Sequence, residues 1–473
     1  MNFISWAFVL LFIPVFLARM TIGRNRTERA FLWFVIAAST VFVCWYVPAY
    51  IAIMLVSIGV DFVAAIAIDG APPGSISRKI WLAGSMTTNL ALLGFFKYAD
   101  FVLAMVHRVA APFQHHQHTP HVLGILLPIG ISFYTFGSMS YTIDVYRGIM
   151  KPVGRFRDFY FFLTFFPHMV AGPIIRAEQF FYQMPRRRRL SVRVFNEGGY
   201  QIIRGLFLKM VCADNIAGVV NDGWIAGSQP ITGSLHRLVL AVLFAAQIFC
   251  DFEGYTSIAR GLAYWLGFRF PINFNNPYIA RSFSNFWERW HITLSSWLRD
   301  YLYIPLGGNR RGAVRTYVNL IIVMALGGLW HGAATTFVIW GLLHGAALAV
   351  ERLIGLNRTC GRLVEWTIRP VWFVIVQATV LVAWVFFRSE SVRESAKFVA
   401  GIVRLQPGPI PKPVSFALWF VLPVLIMHGH GRLVEAGWLR PIGRISQAVM
   451  AAVLLGFVLT CYGTSSEFIY FHF

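Results

Sequence analysis

Residues 317–333 read YVNLIIVMALGGLWHGA, an uncharged and mostly apolar run that ends on Trp330, His331 and Gly332. A run of this kind spells a membrane-buried helix, and a titratable imidazole at its end is costly there unless something uses or satisfies it. His331 is therefore the candidate chemical centre. The stretch just upstream, FWERWHITLSSWLRDYLYIPLGGNRR (286–311), is polar and rich in tryptophan and tyrosine. It is too charged to span, so the whole of 268–315 reads as amphipathic or re-entrant helices, its aromatic rings suited to the membrane interface.

The rest of the chain agrees with a membrane setting. Of its 473 residues 57 % are hydrophobic and 13 % charged, against about 25 % charged in soluble domains. The expected fold class is all-α, polytopic and integral to the membrane, with the chain forming a single domain over 1–473, a core at 122–350 and an aromatic tail at 464–473. A net charge of +21 would suit nucleic acid, but the basic residues are spread over short loops between apolar runs, where they set cytoplasmic orientation. The implied partner is membrane lipid and not nucleic acid. Five cysteines form no CxxC pair, which gives neither a disulfide framework nor a zinc site.

The first apolar run, 3–18, is followed rather than preceded by positive charge, the reverse of a secretory signal. It reads as a helix with its N-terminus outside. Runs at 31–47 and 49–68 make a hairpin turning near Pro48, and further spans follow at 81–106, 122–145, 200–220, 238–266, 317–329, 335–350, 371–387, 414–427 and 445–461. The run 159–175 carries cytoplasmic charge at both ends and reads as dipping in and returning. About twelve crossings result, which puts the C-terminal tail on the outer side.

Several residues invite a chemical reading. His331 and His344 lie 13 residues apart, a rotation of about 220° on one continuous helix, so on such a helix they would not share a face. A neutral imidazole can take a proton from an alcohol attacking an acyl group, or it can be a structural histidine between helices; the residues alone leave both open. His291 is open in the same way, between a site role and an interfacial place near headgroups. The loop QHHQHTPH (114–121) lacks carboxylates and cysteines, so polar loop is preferred to metal site. Asp61, Asp144 and Asp251 sit in or near apolar runs and read first as helix-pairing groups. The tail SSEFIYFHF (465–473) is an interfacial anchor or, through the Tyr470 hydroxyl on a flexible leash, an acyl acceptor.

At this point the residues resemble a family, the membrane-bound O-acyltransferases, in the bacterial branch that serves alginate O-acetylation and teichoic acid D-alanylation. The resembling stretches are LPIGISFYTFGSMSYTIDVYRG (127–148), FFPHMVAGPIIR (165–176), the segment 251–310, GGLWHGAATTFVIWGLLHG (327–345) and FIYFHF (468–473). The resemblance implies a ring of 11–12 transmembrane helices, with re-entrant and interfacial helices, around a central tunnel. It implies His331 as catalytic base, His291 as the second histidine and Tyr470 as an acyl relay. Trp330, Asp251, Trp290, Ser295 and Arg299 are the expected substrate-binding residues, and no metal or cofactor is expected.

The same resemblance implies a cytoplasmic acyl thioester donor such as acetyl-CoA and a periplasmic partner of the SGNH type. The expected activity is O-acetylation of an exopolysaccharide or cell-wall glycan at a bacterial inner membrane. D-alanyl transfer from a carrier protein is the first alternative; a lipid-linked sugar transporter is the second, disfavoured because no internal repeat is visible. The sequence departs from the family pattern in GYTSIARG (254–261), where Ser257 replaces an aspartate and Arg260 an apolar residue, and at His168 and His472, where glutamine is common.

Overall fold

The computed structural model describes the chain apart from residues 1, 23–28, 111–122, 126, 129, 170–171, 187–188, 225–230, 232, 356–361, 467 and 470–473. Tyr470, His472 and the histidines of the 114–121 loop lie outside the described residues. Every regular element among the described residues is a helix. Seven of these helices are long and apolar enough to cross a membrane, and three shorter apolar helices accompany them: Trp6–Thr21, Arg29–Cys44 and Arg444–Thr460.

Two of the remaining apolar runs are built differently from a plain span. Ile131–Tyr146 has 16 residues. The run at 200–220 belongs to a helix, Val192–Leu206, that passes through π-helical Phe207–Ala213 into Asp214–Trp224. Such π insertions recur at functional sites, and this one carries the fully buried Lys209.

The chain forms two compact units, Met1–Gly199 with Ala259–Pro271, and Tyr200–Ile258 with Ile272–Phe473. In the first, the hairpin turn near Pro48 joins Arg29–Cys44 to Tyr50–Gly70. Asp61 is buried and accepts hydrogen bonds from Ser85, Ser138 and, at 2.8 Å, Asn89. These donors come from two other helices, so Asp61 pairs helices. The 156–183 region is three short helices, Phe156–Thr164, Phe166–Met169 and Ala177–Gln183, rather than one span. Pro167 cannot continue the first of them without loss of a backbone hydrogen bond. His168 is wedged among Phe162, Phe180 and Phe270, and burial pushes its pKa down to about 3.

The second unit is built on the helix Ser234–Trp265 through its residues up to Ile258. Its apolar window is 72 % buried, against 39 % or less for the other long helices, so it forms core where they present a face outward. The helices Ala313–His331 and Thr335–Leu353 form a tight hairpin across a glycine seam. A Cβ on Gly328 would stand 2.1 Å from the Phe337 carbonyl oxygen, and one on Gly341 2.2 Å from that of Met324. Small residues let backbones approach in this way, and the close approach sets where His331 ends its helix. Buried Glu351, on the second helix, accepts from the backbone N–H groups of Phe283 (2.6 Å) and Ser284 (3.0 Å). It thereby satisfies the first turn of Phe283–Arg289, a position where negative charge is favoured.

Candidate active site: two histidines among aromatic rings

The 268–315 stretch forms short helices, as its composition suggested: Phe283–Arg289, Ile292–Leu298 and π-helical Arg299–Tyr303. His291 sits at the bend between the first two, in the left-handed region at φ 42°. A bulky residue there is strained, and Asn273 holds it. The Asn273 carbonyl oxygen accepts from the Ile292 N–H at 2.9 Å. Its side-chain oxygen accepts from the Thr293 N–H (3.2 Å) and hydroxyl (2.9 Å), and lies 3.1 Å from His291 Nδ1.

That arrangement fixes a tautomer. A backbone N–H can only donate, so the Asn273 atom it meets is the oxygen, and His291 Nδ1 must donate to it. In the neutral ring Nε2 is then the lone-pair acceptor. It is buried and makes no hydrogen bond among the described residues. Full burial, opposed only weakly by a backbone hydrogen bond, pushes the His291 pKa down to about 3. The ring is neutral at physiological pH, and the headgroup-facing place considered from sequence does not apply.

His331, 2 % exposed, ends its helix with its ring centroid 6.4 Å from that of His291. Trp330 lies 5.1 Å from His331 and 6.0 Å from His291. Trp340 and Phe387 complete the wall at 5.0 and 5.4 Å from His331. The helix breaks after His331 because Gly332 is extended and a Cβ there would stand 2.1 Å from the Phe337 ring. The rotation of 220° therefore never applies. After the break Trp340 touches both histidines, His331 at 5.0 Å and His344 at 4.9 Å.

The other sequence candidates are distributed around this centre. Trp290 is fully buried against Phe286, Phe274 and Trp384. Ser295 and Arg299 line a cavity of about 390 Å³ together with Trp287, Glu288 and Met324. Trp287, in its wall, contacts Trp340 at 5.7 Å. Asp251 faces Lys209 and the backbone of Ile469. Ser257, at the departure in GYTSIARG, accepts from Arg204 (2.9 Å) and donates to Glu253 (3.1 Å) within a partly buried ion pair. Asn273, Lys209 and Trp340 were passed over by the sequence reading. Lys209 alone carried a signal, a charge inside an apolar run.

With this geometry in place, comparison with known proteins is decisive. The family model for the membrane-bound O-acyltransferase family, MBOAT, matches residues 124–389. The chain belongs to this family. A Pseudomonas putida protein named "Probable alginate O-acetylase AlgI" is 39 % identical over 398 residues, 84 % of this chain and 79 % of its own. The "Peptidoglycan O-acetyltransferase" of Helicobacter pylori is 33 % identical over 432 residues, covering 84 % and 79 %. The "Teichoic acid D-alanyltransferase" of Bacillus subtilis is 29 % identical over 252 residues, covering 50 % and 62 %. This MBOAT protein is thus a multi-pass membrane O-acyltransferase, and both histidines of the site fall within the matched region.

Proposed function

We propose that the protein transfers an acetyl group from a cytoplasmic thioester donor such as acetyl-CoA, for O-acetylation of an exopolysaccharide or cell-wall glycan at a bacterial inner membrane. His331 acts as general base: it takes the proton of the acceptor hydroxyl as the oxygen attacks the thioester carbonyl. The C–S bond then breaks, and the thiolate leaves with the proton from the imidazolium, which restores the neutral ring. The thioester supplies the leaving group, so this chemistry uses no metal or redox cofactor. His291, held neutral, helps position the donor or the base, its Nε2 open to an N–H or O–H donor other than the reacting hydroxyl. Trp340 has a buried indole N–H with no acceptor among the described residues, a donor of the kind that stabilises an oxyanion.

The observation that carries this reading is the pair of buried imidazoles, from segments 40 residues apart, with rings 6.4 Å apart and one tautomer fixed by Asn273. Acetyl is preferred to D-alanyl because the acetyltransferase relatives match 84 % of the chain and the D-alanyltransferase 50 %. A periplasmic SGNH-type partner then passes the group to glycan, with the Tyr470 hydroxyl as relay. Mass analysis of glycan from a deletion strain, with and without the wild-type gene, tests the substrate. Loss and restoration of acetyl ester supports the proposal; loss of D-alanyl ester instead replaces it.

A further inference from the structure

The C-terminal segment is not a free leash up to Ile469. Lys209 is fully buried, and an ammonium has three N–H groups to satisfy. Its Nζ lies 2.8 Å from Asp214 Oδ1, 2.8 Å from Asp251 Oδ1 and 3.0 Å from the Ser466 carbonyl oxygen. The third ligand is thus the tail itself. Two carboxylates around one ammonium leave acceptor capacity over, and the tail supplies donors for both. The Ser466 hydroxyl donates to Asp214 at 2.6 Å, and the Ile469 N–H donates to Asp251 at 2.7 Å. Further back, the Gly463 N–H donates to the Met210 carbonyl at 2.9 Å. A Cβ on Gly463 would stand 2.7 Å from the Asn215 nitrogen, so only glycine fits the approach.

The segment so held is packed against the site. Phe468 is buried, 4.3 Å from the Tyr255 ring and 5.9 Å from Phe252. Phe252 in turn stands edge-on to His291 at 4.7 Å. The helices that carry the triad cross at glycines: a Cβ on Gly205 would stand 2.5 Å from the Gly254 carbonyl oxygen. That close crossing lets Lys209 and Asp251 meet.

We propose that Lys209, Asp214, Asp251 and Ser466 are positioning residues for acyl transfer, which seat the C-terminal segment in the core so that Phe468 and Phe252 buttress His291. The claim rests on the proposed role of the two histidines, since an unused His291 would need no buttress. The fold survives loss of one acid, because Lys209 keeps a pair with Asp214 when Asp251 becomes Leu, but the tail then loses the acceptor of its Ile469 N–H. Misplacing a reacting group by about 1 Å costs on the order of 100-fold in rate.

The test uses the full chain, purified in detergent or vesicles, with acetyl-CoA as donor. Asp251→Leu and Ser466→Ala should each lower kcat about 100-fold, with the KM for donor within about threefold of wild type and the thermal midpoint little changed. Ser466→Thr, which keeps the hydroxyl, should restore kcat. In a chain whose five native cysteines are replaced by serine, Phe468→Cys should resist a permeant maleimide, and should react once Asp251→Leu is added. Wild-type kcat in Asp251→Leu and Ser466→Ala, in an enzyme that His331→Ala inactivates, would overturn the clamp and leave the histidine reading standing. Equal loss in Ser466→Ala and Ser466→Thr, or loss accompanied by a collapse of thermal stability, would overturn it as well. Activity retained by His331→Ala would instead mark failure of the underlying reading.

Discussion

His291 Nδ1 lies 3.1 Å from Asn273 Oδ1, the same oxygen that accepts from Thr293. One amide therefore holds a strained backbone and selects an imidazole tautomer. Asn273→Ala should lower kcat by at least about tenfold, as the loss of a partner that orients a ligand or base typically does. Asn273→Asp keeps the acceptor and should be milder. The two variants assayed side by side decide this: equal activity of Ala and wild type would show that the tautomer does not matter.

The glycine seam makes a second prediction. Gly328→Val forces a side chain into the Phe337 carbonyl, which a Cβ would already meet at 2.1 Å. Overpacking typically costs about 1–3 kcal/mol, so the thermal midpoint should drop and activity with it. Gly429, where a Cβ would meet nothing within 4 Å, serves as control: Gly429→Ala should leave both unchanged. A Gly328→Val protein as stable as wild type would contradict the packing described.

Acid should destabilise the fold in a defined window. His168 and His291 both have pKa values lowered by burial from 6.5 to about 3. The unfolded chain binds these protons first, so stability is full above pH 6.5 and falls as the pH is lowered towards 3. His291→Gln should flatten that fall, measured as the thermal midpoint in detergent between pH 7 and 4. An unchanged slope would show that His291 is not held neutral by the fold.

Much of the architecture was legible in the sequence because it rests on local pattern. The run at 317–333 had to be a buried helix ending at its histidine, the run 159–175 carried basic charge at both ends and so did not read as a plain span, and 268–315 was too charged to span. Asp61 was read as a helix-pairing group, and Ser85, Asn89 and Ser138 bear that out. What stayed hidden depends on contacts distant along the chain. Asn273 looks like one polar residue among several asparagines until the bend at His291 needs an acceptor. Lys209 meets its tail ligand 257 residues away, which no periodicity can indicate. His344 shares Trp340 with His331 only because Gly332 breaks the helix between them.

Tyr470 lies outside the described residues, and its role is decided by one atom. Tyr470→Phe keeps the aromatic ring and removes the hydroxyl. As a relay it should lose glycan acylation in cells while donor binding persists; as a mere anchor it should be silent. Ester content of glycan from cells carrying Tyr470→Phe distinguishes the two, and wild-type levels would remove the relay.

The central claim is that His331 is the base. The most direct measurement is acyl transfer from acetyl-CoA by purified His331→Ala in vesicles, at wild-type protein levels and with the thermal midpoint checked. Loss of a general base costs roughly 10²–10⁴ in rate, so kcat should fall by that factor with the fold intact. A folded His331→Ala enzyme that turns over at the wild-type rate would contradict the account.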